Sequence, residues 1–198
     1  MTEGDDQVPL LPPKREDYAD IREFIRDHEA YWDSAVPTKA AVLQRAARLG
    51  NDAMTAIRIQ LDRIAAGPSQ HGEHGYWGVF IDVDFLIAAL WRMRQAGVLA
   101  KSRIGRWWAP LDVFDQALPD LKLMRDVSQH LAEYGIDGDG RKAINPRTGK
   151  PVGRRALEVK SLGDTFGWLG GELDLTATDT ASITLLNAIR AERDAKNR

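Results

Sequence analysis

The sequence predicts a mainly α fold, a bundle of four to five helices with one short β-hairpin before the last helix. Three observations carry this. Apolar residues recur at spacings of three and four through every long segment, the mark of helices that bury one face. Alternation of period two appears as a short pair of runs between 156 and 169. At 198 residues, with 43% apolar and 28% charged residues, the chain has the make-up of a globular protein with one sizeable core.

Composition also excludes some chemistry. There is no cysteine, which removes disulfides and thiolate catalysis and fits a reducing, cytoplasmic setting. The net charge of -2 gives no whole-protein attraction for nucleic acid, so any such binding must rest on a local patch. The longest apolar run, Phe85 to Leu90, is too short to span a bilayer, so no membrane partner is expected. Residues 1–13 are acidic and Pro-containing, without the basic and apolar regions of a signal peptide. They are expected to form a flexible tail before a single domain over 14–198.

Taken in order, Lys14 to about Asp33 is expected as a first helix. Tyr18, Ile21, Phe24, Ile25 and the Glu29–Trp32 turn form its core-facing stripe. A turn at 34–38 starts a second helix from Lys39 to Ala66. The apolar period resumes in phase after Gly50–Asn51, so one long helix with a weak centre is predicted. Gly67 to Gly78 has the composition of a loop. Its His71, Glu73 and His74 invite a metal reading but lack a defined face and a further ligand, so no metal is expected. Asp82–Val83–Asp84 is expected to cap a third helix, apolar nearly all round and therefore central. Arg92, Arg94, Lys101, Arg103 and Arg106 decorate its end, followed by Trp107 and Trp108. Such residues can stack bases and hold phosphate, but the plainer reading is that cations favour a helix C-terminus and the tryptophans close the core.

A short helical turn over Leu111–Leu118 leads into the stretch the chain is organised around, Pro119 to Gly135. Proline suits a first helical position, and Leu121, Met124, Val127, Leu131 and Tyr134 form one apolar face. Asp126 and His130 lie four apart and so stack, with Glu133 and Tyr134 on the next turn. Arg125 is five before His130, roughly 140° around the helix, yet long enough to reach the same place. After Gly135, IDGDGR suggests a calcium loop, but an arginine takes an acidic position and the closing Glu is missing, so it is read as a turn. Arg141, Lys142, Arg147, Lys150, Arg154 and Arg155 then make a basic loop over 136–155, the best candidate for steering an RNA backbone. Strands are expected at 156–159 and 164–169 around a turn at 161–163, and a last helix from Ser182 to about Lys196 capped by Thr176 or Thr178.

The string R-D-x-x-x-H from Arg125 to His130, and the wider RDVSQHLAEYGIDGDGR, resemble the signature of the HEPN superfamily of helical domains over about residues 82–190. That motif is an Arg followed by Asn, Asp or His, then a His after four to six intervening residues. Asp126 stands here where Asn is commoner. The resemblance implies metal-independent cleavage of RNA by a homodimer without cofactors, in some members held by a protein partner such as an antitoxin. It assigns His130 as the base on the ribose 2′-OH and Arg125 as the cation on the scissile phosphate, with Asp126 assisting and Glu133 and Tyr134 in support. The residue types suit the task, since imidazole titrates near working pH and a guanidinium matches phosphate and keeps its charge. The alternative is a helical binding or interaction module without catalysis, as some members of that superfamily are. A small-molecule enzyme has no residue constellation behind it.

Overall fold

A computed structural model describes residues 14–34, 38–130 and 164–196. Among these, six α-helices and one hairpin follow in the order α1 (Ile21–Ser34), α2 (Lys39–Ala66), α3 (Gly75–Ile104), α4 (Pro110–Ala117), α5 (Leu121–Gln129), β1 (Thr165–Trp168), β2 (Gly171–Asp174) and α6 (Leu175–Lys196). The mainly α fold with a hairpin before the last helix forms as expected, but with six helices among the described residues where four to five were expected. No helix among the described residues is long and apolar enough to cross a membrane.

Helix α3 is the axis of the core, and α2, α4, α5 and α6 all pack on it. The expectation that it is buried nearly all round is only half met: Val83, Leu86, Ile87, Leu90 and Met93 share one buried face, while Trp77, Ile81 and Phe85 on the opposite side are exposed. Helix α2 runs unbroken through Gly50–Asn51, started by the Thr38 hydroxyl, which accepts the Ala41 N–H at 3.1 Å. Gly50 is buried, and a methyl there would come 2.9 Å from Leu186, so the glycine lets α6 approach α2. Burying Phe114 and Phe166, both about 1% exposed, contributes roughly 1.5–3 kcal/mol each.

Several sequence expectations are corrected. The first segment is a 3₁₀ turn at Arg15–Asp17, and α1 begins only at Ile21, where the Asp20 carboxylate accepts the Arg22 N–H at 2.8 Å. Of the expected core stripe, Ile21 and Ile25 stay out of the core at 48% and 47% exposed, and Phe24 packs on Tyr18 and His28. Asp82 and Asp84 do not cap α3, which starts at Gly75 directly after a 3₁₀ turn at Pro68–His74. Of the paired tryptophans, Trp108 is buried in the core and Trp107 is exposed. Within the segment 164–169, Thr165–Trp168 forms a strand that pairs with Gly171–Asp174, while the strand expected at 156–159 lies outside the described residues. The turn is Leu169–Gly170 with φ of 52° and 80°, the left-handed pair a two-residue hairpin needs. A leucine tolerates it here because its side chain is buried. Asp174, not a threonine, caps α6, its carboxylate accepting the Ala177 N–H at 2.8 Å. The tail 1–13 also lies outside the described residues.

Candidate functional site

Helix α5 is shorter than its pattern suggests. Pro119 sits in the turn before it, and His130 is the C-cap, with φ -121° and ψ 28° outside the helical region. Its N–H still reaches back to the Asp126 and Val127 carbonyls at 3.1 and 3.3 Å, closing the last turn. Leu121, Leu123, Met124 and Val127 are buried, which fixes the helix rotation and leaves Arg125, Asp126 and His130 at the surface edge.

Two polar ties hold α5 in place. The buried Asp120 accepts the Glu172 N–H at 2.9 Å and so couples the start of α5 to β2. Gly171 lies against the same turn, where a methyl would meet the Met124 Cγ at 2.6 Å. Toward the other end, the Ser128 hydroxyl donates to the Asp84 carboxylate at 2.6 Å and links α5 to α3.

Around Asp126 the expected residues come together. An Arg125 guanidinium nitrogen lies 3.9 Å from Asp126 Oδ1, and His130 Nε2 lies 4.0 Å from the same oxygen. All three side chains are about one-third exposed, so the cluster is rooted in the fold yet open to solvent. The Arg125 guanidinium sits over the Trp91 ring of α3 at 4.9 Å from its centroid, and its Nε is buried without a hydrogen-bond partner among the described residues. Trp91 carries a second cation, Arg94, at 5.2 Å, which is in turn gripped by Asp115 of α4 through two hydrogen bonds of 2.8 and 2.7 Å. Arg94 is therefore neutralised in place, whereas Arg125 meets its carboxylate only at the longer separation. A small cavity of about 150 Å³ is lined by Arg94, Asp115 and Lys122. A cavity of about 880 Å³ lies elsewhere, between α2, α3, the hairpin and α6, and none of the candidate residues lines it.

Glu133, Tyr134 and the basic loop residues Arg141, Lys142, Arg147, Lys150, Arg154 and Arg155 lie outside the described residues. Sequence reasoning missed Trp91 and Asp115 as parts of the site. Trp91 sits in the pattern as one more apolar residue of α3, and no local spacing ties Asp115 to Arg94 twenty-one residues earlier. It also missed a second polar unit. Asp82, fully buried in α3, has Arg63 at 2.9 Å and His71 at 3.0 Å, contacts that lie out of line for hydrogen bonds. The His71 ring lies close against Gly78, where any side chain would collide with it at 2.2 Å. His71 is thus committed to pinning the 3₁₀ turn onto α3, while His74 is exposed, 3.9 Å from Glu73. No group of three or more potential metal ligands occurs among the described residues.

Comparison of the chain with protein-family models, with curated proteins and with solved structures finds no match.

Proposed function

We propose that the protein cleaves RNA without a metal, using the cluster at the C-terminal end of α5. The observation that carries this reading is the approach of Arg125 and His130 to one carboxylate oxygen, 3.9 and 4.0 Å away, on a half-open surface. In the proposed step His130 removes the proton from a ribose 2′-hydroxyl. The freed oxygen attacks the neighbouring phosphorus, the bond to the 5′-oxygen breaks, and that oxygen takes a proton from the medium. Arg125 holds the phosphate oxygens as charge builds on them. Asp126 orients the imidazole, and the basic segment from Arg141 to Arg155 draws in the backbone. The cysteine-free composition fits action in a reducing, cytoplasmic setting.

A second copy of the chain is part of this reading. Trp77, Ile81 and Phe85 repeat every fourth residue along α3 and are 74%, 55% and 56% exposed, an apolar stripe suited to association. Light scattering at micromolar concentration should give a dimer, and a strict monomer would remove that part of the proposal.

The test is to incubate the full chain with mixed cellular RNA in excess chelator and to analyse product ends. The reading requires 2′,3′-cyclic or 3′-phosphate ends that disappear with Arg125→Lys, because a single ammonium does not reproduce the guanidinium fork. Products with 3′-hydroxyl ends, or none at all from folded protein, would refute it. A second reading, a helical binding module without catalysis, is favoured by the position of Arg125 on Trp91, which suits a guanidinium fixed for structure. Saturable RNA binding without any cleavage is what it predicts.

A further inference from the structure

A second basic site lies on the surface where α2 and α3 run side by side. Arg45 and Arg48 of α2 and Arg103 of α3 line a groove of about 710 Å³ whose floor includes Val42 and Leu99. The volume falls within the ~300–1,000 Å³ typical of small-ligand sites. Arg45 and Arg48 are three apart and so neighbours on one helix face, while Leu99 and Arg103 are four apart on the other. The sequence marks Arg103 as part of a basic helix end, but the pairing with Arg45 and Arg48 exists only in the fold.

The lining of this groove carries cations of one sign only. No carboxylate lines it, and among the described residues none of the three arginines is in an ion pair or a side-chain hydrogen bond. The neighbouring cations of α3 are paired instead. Lys101, two residues before Arg103, has Asp112 at 2.6 Å, and Arg94 has Asp115 at 2.7 Å. The chain carries more acidic than basic residues, so the lack of a counter-charge here is not a matter of supply. Three guanidinia gathered without a partner repel one another until an anion enters. Planar guanidinium forks match phosphate oxygens two at a time, and the apolar floor suits an organic body attached to the phosphate.

We propose that this groove is a binding site for a small organic phosphate carrying two or more negative charges, its phosphates on Arg45, Arg48 and Arg103 and its organic body against Val42 and Leu99. The site is independent of the cluster on α5. Isothermal titration of the full chain with adenosine triphosphate, inorganic triphosphate and adenosine tests it. Adenosine triphosphate should bind one per chain, inorganic triphosphate more weakly, and adenosine not measurably. Arg45→Gln with Arg48→Gln, and separately Arg103→Gln, should each lower the affinity at least ~10-fold, the least expected from losing a charge-assisted hydrogen bond. Glutamine keeps much of the aliphatic stem, and circular dichroism checks that the variants fold. His130→Ala should bind as the parent does, which separates this site from the RNA reading. Failure of folded parent protein to bind adenosine triphosphate, or equal binding by the glutamine variants, would overturn the proposal. So would binding confined to a single-stranded oligoribonucleotide, which would make the groove a track for a strand instead.

Discussion

The position of Arg125 on Trp91 gives a prediction whose size follows from the geometry. The ring has Arg125 at 4.9 Å and Arg94 at 5.2 Å, and both guanidinium side chains are only about a quarter exposed. A cation over an aromatic ring is worth roughly 0.5–1 kcal/mol in water and ~2 kcal/mol when desolvated, so about 1 kcal/mol is expected for Arg125. Arg94 should couple less strongly, because the Asp115 carboxylate already offsets its charge. Replacing Trp91 by Leu should then cost about 2–3 kcal/mol, from the lost cation contacts and the lost aromatic packing. For a chain of this size that is a fall in Tm of roughly 5–10 °C. Urea denaturation followed by far-ultraviolet circular dichroism, with the cycle Trp91→Leu and Arg125→Met, isolates the pair. A coupling near ~1 kcal/mol is expected for Trp91 with Arg125, and a smaller one for Trp91 with Arg94. A Trp91–Arg125 coupling indistinguishable from zero, or a larger one for Arg94, would refute the reasoning.

Three further outcomes follow from named contacts. Gly171→Ala drives a methyl into Met124 and Asp120, so thermal unfolding should show a loss of about 1–3 kcal/mol, and cleavage should weaken as α5 shifts. Asp82→Ala removes the carboxylate shared by Arg63 and His71. Arg63 is half exposed and can turn to water, so the loss should sit near the lower end of the ~3–5 kcal/mol for a broken buried pair, with faster amide exchange over Pro68–His74 as the local readout. Asp126→Asn removes a negative charge from beside the phosphate position, so cleavage rates should equal or exceed those of the parent. A tenfold fall would make the carboxylate itself necessary for orienting His130.

What could be read from the sequence was what local periodicity determines. Helix α2 ran from Lys39 to Ala66 as its unbroken apolar stripe implied, and Arg125, Asp126 and His130 did gather at one edge of a helix. The misreadings share a cause, which is that tertiary contact overrode local pattern. The Asp82–Val83–Asp84 run resembles a helix start, yet Asp82 is buried mid-helix because Arg63 and His71 arrive from elsewhere to meet its charge. Ile21 and Ile25 of the α1 stripe implied a core they do not join, since amphipathicity reports a face that wants cover without naming the surface that covers it. His130 continued the helical spacing on paper but caps α5 in fact. The turn was missed because Leu169 occupies a left-handed position that leucine rarely takes, so only the Gly170–Gly171 pair marked it in the sequence. The Trp91–Arg94–Asp115 support behind Arg125 was invisible for the same reason as the arginine groove: its members are distant in sequence.

The most direct test of the account is the rate at which His130→Ala cleaves RNA in excess chelator, measured beside the parent protein with circular dichroism as the folding control. If His130 is the base, the folded variant should lose ~10²–10⁴ of the cleavage rate while still binding RNA. A folded His130→Ala protein that cuts RNA as fast as the parent would contradict the assignment of the α5 cluster as the catalytic site.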